Sequence, residues 1–167
     1  VVPAGTYLTP AVCGALAVVG CTEPVVFAPP EVAILSTGDE LVHPSEEPRK
    51  GQIRNSNSYA LHAYAREMGL QTRMLGVARD QKSELRAKIV DGLESDILLI
   101  TGGVSMGDYD YVADVFYELS LDVHYEKVSI KPGKPTVFAT VDDKVIFGLP
   151  GNPVSGSTVF EVIVRPA

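Results

Sequence analysis

An α/β fold is predicted: three layers, with a mostly parallel, doubly wound sheet between helices on both faces and a terminal hairpin. Three observations carry that expectation. Short apolar, β-branched runs alternate along the chain with stretches whose apolar residues recur at i, i+3, i+4 and i+7. The strand-like runs end in glycines, hydroxyls and carboxylates, as turns at the carboxyl edge of a parallel sheet do. Near the end, two apolar runs flank Asp142-Asp143, the signature of a hairpin.

The elements follow in order. Thr9 as N-cap, Pro10 at the first helical position and Val12, Ala15, Leu16 and Val19 on one face predict a helix that Gly20 ends. After Pro29-Pro30, Val32 to Leu35 reads as a short strand. Leu61, Tyr64, Ala65 and Met68 mark a helix that stops at Gly69. Thr72 to Val77 is a strand, and Leu85, Ile89, Val90 and Leu93 mark the next helix. Ile97 to Ile100 is a strand, and Val112, Val115, Phe116 and Leu119 share a helical face. Val123 to Ile130 reads as a strand, Val137 to Thr140 and Val145 to Leu149 as the hairpin, and Val154 to Val164 as the last helix. Pro44 to Gly51 is a polar excursion that reads as an exposed loop. Residues 1–30 read as a lead-in with its helix and 31–167 as one α/β domain, and both chain ends read as cut from something longer.

Bulk properties exclude some classes. The chain has 167 residues, 46% hydrophobic and 21% charged, enough for a core that needs no covalent staples. Fourteen basic residues against 21 acidic ones give a net charge of −7. That balance argues against a general binder of nucleic acid or acidic membrane. No apolar run approaches the roughly 20 residues that span a bilayer. Cys13 and Cys21 are the only cysteines, which fits a reducing cytoplasm better than a disulfide framework.

Four loops carry the chemistry-bearing residues, and the predicted fold puts them on one edge. Thr37-Gly38-Asp39-Glu40 is either a turn and helix start with Asp39 as cap, or a carboxylate pair for a hydrated Mg²⁺, which keeps most of its waters. Thr101-Gly102-Gly103-Val104-Ser105-Met106-Gly107-Asp108-Tyr109-Asp110 lets the backbone approach an anion. There Ser105 can bond an oxyanion, and Asp108 or Asp110 either holds a metal or caps the next helix. Lys131-Pro132-Gly133-Lys134-Pro135 holds two ammonium groups on a stiffened backbone and reads as either a clamp for a multiply charged anion or a solvated loop with incidental lysines. In Pro150-Gly151-Asn152-Pro153-Val154-Ser155 the helix start doubles as an anion site. In Gly51-Gln52-Ile53-Arg54-Asn55-Ser56-Asn57, Asn55 or Ser56 caps a helix while Arg54 and Asn57 either face a ligand or form an ordinary helix start. His43, His62 and His124 lack metal-ligand spacing, and Tyr59, Tyr64 and Tyr117 read as packing residues.

Taken in order, Ser36-Thr37-Gly38-Asp39-Glu40-Leu41, the Gly51–Asn57 segment, Thr101 to Asp108, the Lys-Pro-Gly-Lys-Pro segment and Leu149 to Ser155 resemble the molybdopterin-binding domain of the molybdopterin molybdenumtransferases. That cofactor-assembly family includes the C-terminal domain of gephyrin, and the resemblance covers almost the whole chain. It implies molybdate insertion into the dithiolene of molybdopterin, supplied in adenylylated form, with Mg²⁺-assisted cleavage and release of AMP. By motif position it implies Asp39, Glu40 and Asp108 around metal and substrate. Lys131, Lys134 and Ser155 would face the oxyanion, and Gly102, Gly103 and Ser105 would cradle phosphate. Thr37, Gly38, Asn57, Asp110, Pro150, Gly151, Asn152 and Pro153 complete the expected substrate surface. Asn55 stands where many relatives carry aspartate. The family's complete proteins are longer and homodimeric, so the segment alone is expected to turn over poorly. The related molybdopterin adenylyltransferase and a non-catalytic interaction module are the alternative readings; the lysine loop favours insertion over the first, and the retained acidic and lysine residues argue against the second.

Overall fold

The computed structural model describes residues 2–103 and 111–167. Eight strands form two sheets: β1 (Glu31–Thr37), β2 (Leu41–Val42), β3 (Ile53–Arg54), β4 (Gln71–Ala78), β5 (Ile97–Thr101), β6 (Asp122–Tyr125), β7 (Val137–Val141) and β8 (Lys144–Leu149). The main sheet has the order β4-β1-β5-β8-β7-β6, and β2 and β3 pair separately. Strands β4, β1, β5 and β8 run parallel, whereas β7 is antiparallel to both β8 and β6.

Side-chain alternation along the central strands feeds two cores. Ala33 and Leu35 of β1, with Leu98 and Ile100 of β5, face α3 (Lys82–Gly92) and α4 (Tyr111–Glu118) through Leu85, Ile89, Val115 and Phe116. Val32, Ile34 and Leu99 face the other way, toward Leu61 and Ala65 of α2 (Asn57–Glu67) and Val159 at the end of α5 (Pro153–Val159). Each large aliphatic side chain buried in this way stabilises the fold by roughly 1.5–3 kcal/mol. The expected three-layer α/β architecture is therefore observed, with its hairpin turning at Asp142, whose φ is +49°.

Several elements differ from expectation. The strand expected over 123–130 ends at Tyr125, where its pairing with β7 stops at Phe138. The Val128 amide instead donates to the Lys134 carbonyl at 2.9 Å, closing a loop. The last helix stops being α-helical at Val159 and continues as one π-helical turn, Phe160–Val164, marked by the Arg165 amide donating to the Phe160 carbonyl at 2.8 Å. No helix starts at Asp39; the chain turns there into β2. Helix α1 (Pro10–Val18) forms with Thr9 Oγ1 accepting from the Val12 amide, yet it buries no residue. Of the three tyrosines read as packing residues, Tyr64 stacks on Phe160, while Tyr59 and Tyr117 are exposed. Both cysteines are free and exposed. Among the described residues no helix is long and apolar enough to cross a membrane.

Candidate functional site

The parallel strands aim their carboxyl ends at one rim. The turns after β1, β5 and β8 meet there, and β7, running the opposite way, begins there opposite Gly148 of β8. Topology thus brings the Lys131–Pro135 loop, which leads into β7, to the same edge as Pro150–Pro153.

Close backbone approach explains the paired glycines. Gly102 has φ +87° and Gly103 φ +55°, in the left-handed region that favours glycine. A Cβ on Gly102 would run into the Thr37 carbonyl, and one on Gly103 into the Thr37 hydroxyl. A Cβ on Gly151 would stand only 3.5 Å from Gly102 Cα, so the β5 and β8 turns are in contact too.

Asn57 fastens three loops together. At the start of α2, its Nδ2 donates to Thr101 Oγ1 at 3.0 Å and to the Gly151 carbonyl at 2.8 Å. The local fold delivers it there: the buried Asn55 accepts on Oδ1 from Ser36 Oγ at 3.0 Å and from the Ser58 amide at 3.4 Å, tying the helix start to the end of β1. Ser56 occupies the N-cap position without a side-chain cap bond, so Asn55 supplies the anchoring. A cleft of about 70 Å³ opens between these parts, lined by Thr37, Glu40, Arg54, Asn57, Gly102 and Gly151 among others. It continues into a groove of about 100 Å³ between α2 and α5, over Ser56, Asn57, Thr101, Pro153 and Ser157. The Thr37 hydroxyl is buried with no hydrogen-bond partner among the described residues.

The acidic pair is divided in its tasks. Asp39 Oδ1 accepts from the Asp80 amide at 3.1 Å, and the Asp39 carbonyl accepts from Arg79 at 2.9 Å, so this residue braces the turn against the end of β4. Glu40 faces the cleft, with its carboxylate held over Gly38. Arg54 lines the cleft but leans back to Glu47, at 3.1 Å. Among the described residues no group of three or more histidines, cysteines or carboxylates is placed to hold a metal.

One expectation is corrected at the β8 turn. Asn152 Oδ1 accepts from the amides of Val154 and Ser155 at 3.0 and 3.2 Å, so the helix start is capped from within rather than left open for an anion. The Asn152 side chain is therefore a cap, and Ser155 is half-buried behind it. Lys131 and Lys134 are exposed, form no ion pair among the described residues, and do not line the cleft. Between them Gly133 packs so closely on Val159 and Ile130 that no Cβ fits, which fixes the loop against α5. Ser105, Asp108 and Asp110 lie outside the described residues.

Sequence reasoning passed over Thr101, Ser36 and the Arg79-Asp80 pair. Thr101 and Ser36 look like ordinary strand residues, and only their register beside Asn57 and Asn55 gives them a role. Arg79-Asp80 was detectable, because it follows the 72–77 strand as Asp39-Glu40 follows the first.

The fold and the rim place the chain among open α/β proteins, whose ligands as a class sit beyond the carboxyl ends of the parallel strands. The chain belongs to the family described as probable molybdopterin binding domain, which matches residues 33–167. It is 38% identical over 167 residues to a molybdopterin molybdenumtransferase of Staphylococcus aureus (strain COL), covering 98% of this chain and 39% of that protein. It is 37% identical over 163 residues to the molybdopterin molybdenumtransferase of Bacillus subtilis (strain 168), covering 97% of this chain and 38% of that one. The crystal structure of the molybdopterin biosynthesis moea protein from Pyrococcus horikosii superposes with a TM-score of 0.79 at 38% identity, over 97% of this chain and 40% of that chain. The chain thus spans about two fifths of the length of the curated relatives it matches.

Proposed function

We propose that this domain binds adenylylated molybdopterin at the carboxyl rim and serves the insertion of molybdate into the dithiolene, with release of AMP. The observation that carries the reading is the convergence on one cleft of the Thr37–Glu40, Asn55–Asn57, Thr101–Gly103 and Pro150–Pro153 segments, fastened by the Asn57 amide. The two-lysine loop leads into β7 at the same edge of the sheet, and a pterin phosphate and molybdate are both anions.

The residues fit the chemistry in distinct ways. Backbone at Gly102 and Gly103 accepts a phosphate at close range because no side chain intervenes. The buried Thr37 hydroxyl is a donor with no acceptor among the described residues. Lys131 and Lys134, free of carboxylate partners among the described residues, supply positive charge for an arriving dianion. Glu40, with Asp39 beside it, suits a hydrated Mg²⁺, which asks for only one or two protein carboxylates. By motif position Asp108 joins that set. The ion would neutralise phosphate charge while the adenylyl phosphate is cleaved. The complete protein, a homodimer of a reducing cytoplasm, would supply the rest of the cleft.

The test uses the full-length protein, adenylylated molybdopterin, molybdate and Mg²⁺, with AMP release as readout. Glu40→Gln is expected to slow release about 100-fold, the size of effect seen when one charge-stabilising group is removed, while the protein melts as before. AMP release unaffected by that change, or ATP consumption without molybdate, would overturn the proposal, the second in favour of adenylyl transfer.

A further inference from the structure

A second cavity, of about 380 Å³, lies between the start of α2 and the free edge of β4. It shares Leu41 and Asn55 with the cleft but none of the residues of the β5 and β8 turns. That size is within the range of small-molecule sites.

Its lining separates into two kinds of surface. Leu41, Val42, Met74 and Val77 form an apolar side, on which Met74 stays 38% exposed although methionine packs readily. The other side carries hydrogen-bond donors. Ser58 is 1% exposed and lines the cavity, yet its Oγ has no hydrogen-bond partner among the described residues. Such an orphaned hydroxyl costs free energy unless a ligand or water completes it.

Tyr59 supplies a second donor through its histidine neighbour. The Ser45 amide donates to His43 Nδ1 at 3.3 Å, and Ser45 Oγ lies 2.7 Å from the same nitrogen. In the tautomer in which Nδ1 accepts from both, the ring proton sits on Nε2 and is donated to Tyr59 Oη at 2.9 Å, which leaves the Tyr59 hydroxyl its own proton to give. Arg79 brings positive charge to the wall, fixed by Nη1 donating to the carbonyls of Asp39 and Leu41. Glu46 is the one carboxylate in the lining, and its Oε1 already accepts from the His43 amide at 3.2 Å.

We propose that this cavity is a binding site for a small organic monocarboxylate with an apolar body. The carboxylate takes the Ser58 and Tyr59 hydroxyl protons in the field of Arg79, and the body lies against Met74, Val77 and Leu41. The site stands apart from the cleft chemistry and does not depend on the molybdopterin reading.

Phenylacetate is a suitable probe, with uncharged phenylacetamide as its isosteric control. Titrated into the ¹⁵N-labelled protein, phenylacetate is expected to saturate, moving the amides of Ser58, Tyr59 and Val77, and to bind about tenfold more tightly than the amide, as a charged hydrogen-bond acceptor should. Ser58→Ala and Tyr59→Phe are each expected to weaken phenylacetate about five- to tenfold. Because the Ser58 hydroxyl has no partner, Ser58→Ala should not lower Tm. Absence of saturation, equal affinity for the amide, unchanged affinity in both variants, or a lower Tm for Ser58→Ala would each overturn the proposal.

Discussion

The two ends of the main sheet are built from the same strands on opposite principles. At the amino end, polar groups are consumed in pairs. Asp96 Oδ2 accepts from the Glu31 amide at 2.8 Å, Ser95 Oγ donates to Glu31 Oε2 at 2.6 Å, and Lys144 lies 3.6 Å from Asp96. These bonds join the beginnings of β1, β5 and β8. At the carboxyl end, the same strands finish in glycine turns and a threonine hydroxyl with no partner among the described residues, and β7 enters there from a loop with two exposed lysines. One end closes the sheet; the other spends its backbone freedom on a cleft. The difference separates polar residues that hold the fold from those left available to a ligand.

That contrast breaks most readily at Gly102. Gly102→Ala forces a side chain into left-handed backbone and against the Thr37 carbonyl, a collision that only a shift of the β1 or β5 turn relieves. A loss of about 3 kcal/mol is expected from strain and displacement together, read as a lower midpoint in urea unfolding. A variant as stable as the parent would show that the turns are not in the contact described.

The rim was legible in the sequence because its signals are local and compound. Thr-Gly-Gly after an apolar run and Lys-Pro-Gly-Lys-Pro each announce an unusual backbone, and alternation of strands and helices placed them on one edge. Asn57 was legible as a candidate, but its role as a fastener was not. Its partners, Thr101 and Gly151, are 44 and 94 residues away, and only the register of the sheet brings them together. The capped β8 turn was missed for a related reason: proline before a helix suggested open amides, whereas Asn152 folds back on them. The amino-end pairs were invisible, since Glu31, Ser95 and Asp96 look like solvated residues until the strands align.

The amino end gives the next prediction. The Asp96 carboxyl is held below its ordinary pKa by the hydrogen bond from the Glu31 amide, which outweighs the opposing desolvation, with a smaller lowering from the charge of Lys144. A carboxylate with a depressed folded pKa contributes stability that is fully present above its unfolded value, near 3.9, and is lost as pH falls through the folded value. In Asp96→Asn that contribution is absent at every pH. Tm of the parent should therefore exceed that of the variant at neutral pH, with the gap narrowing only below pH about 4. A gap that stays constant down to pH 2 would remove the charge from the account of this end. Among the described residues no ion pair joins the carboxyl ends of β1, β5 and β8 at the rim.

Helix α1 belongs to neither end, and it sets the lower bound of the scale. Its start is specified locally by Thr9 and Pro10, and Gly20, at φ +76°, turns the chain out of it. Those signals suffice to wind nine residues without a surface to pack on. Of the apolar stripe that predicted the helix, Val19 is 77% exposed and Val12 and Leu16 are only half-buried, so it adds no residue to the buried core. Leu16→Ser should then change unfolding free energy by less than about 0.5 kcal/mol, as surface substitutions do. Leu61→Ala, on the buried face of α2, should cost about 3 kcal/mol. Both are read from urea midpoints of the same protein. A Leu16→Ser loss approaching that of Leu61→Ala would mean that α1 is covered in solution, and that its stripe marks a packed face after all.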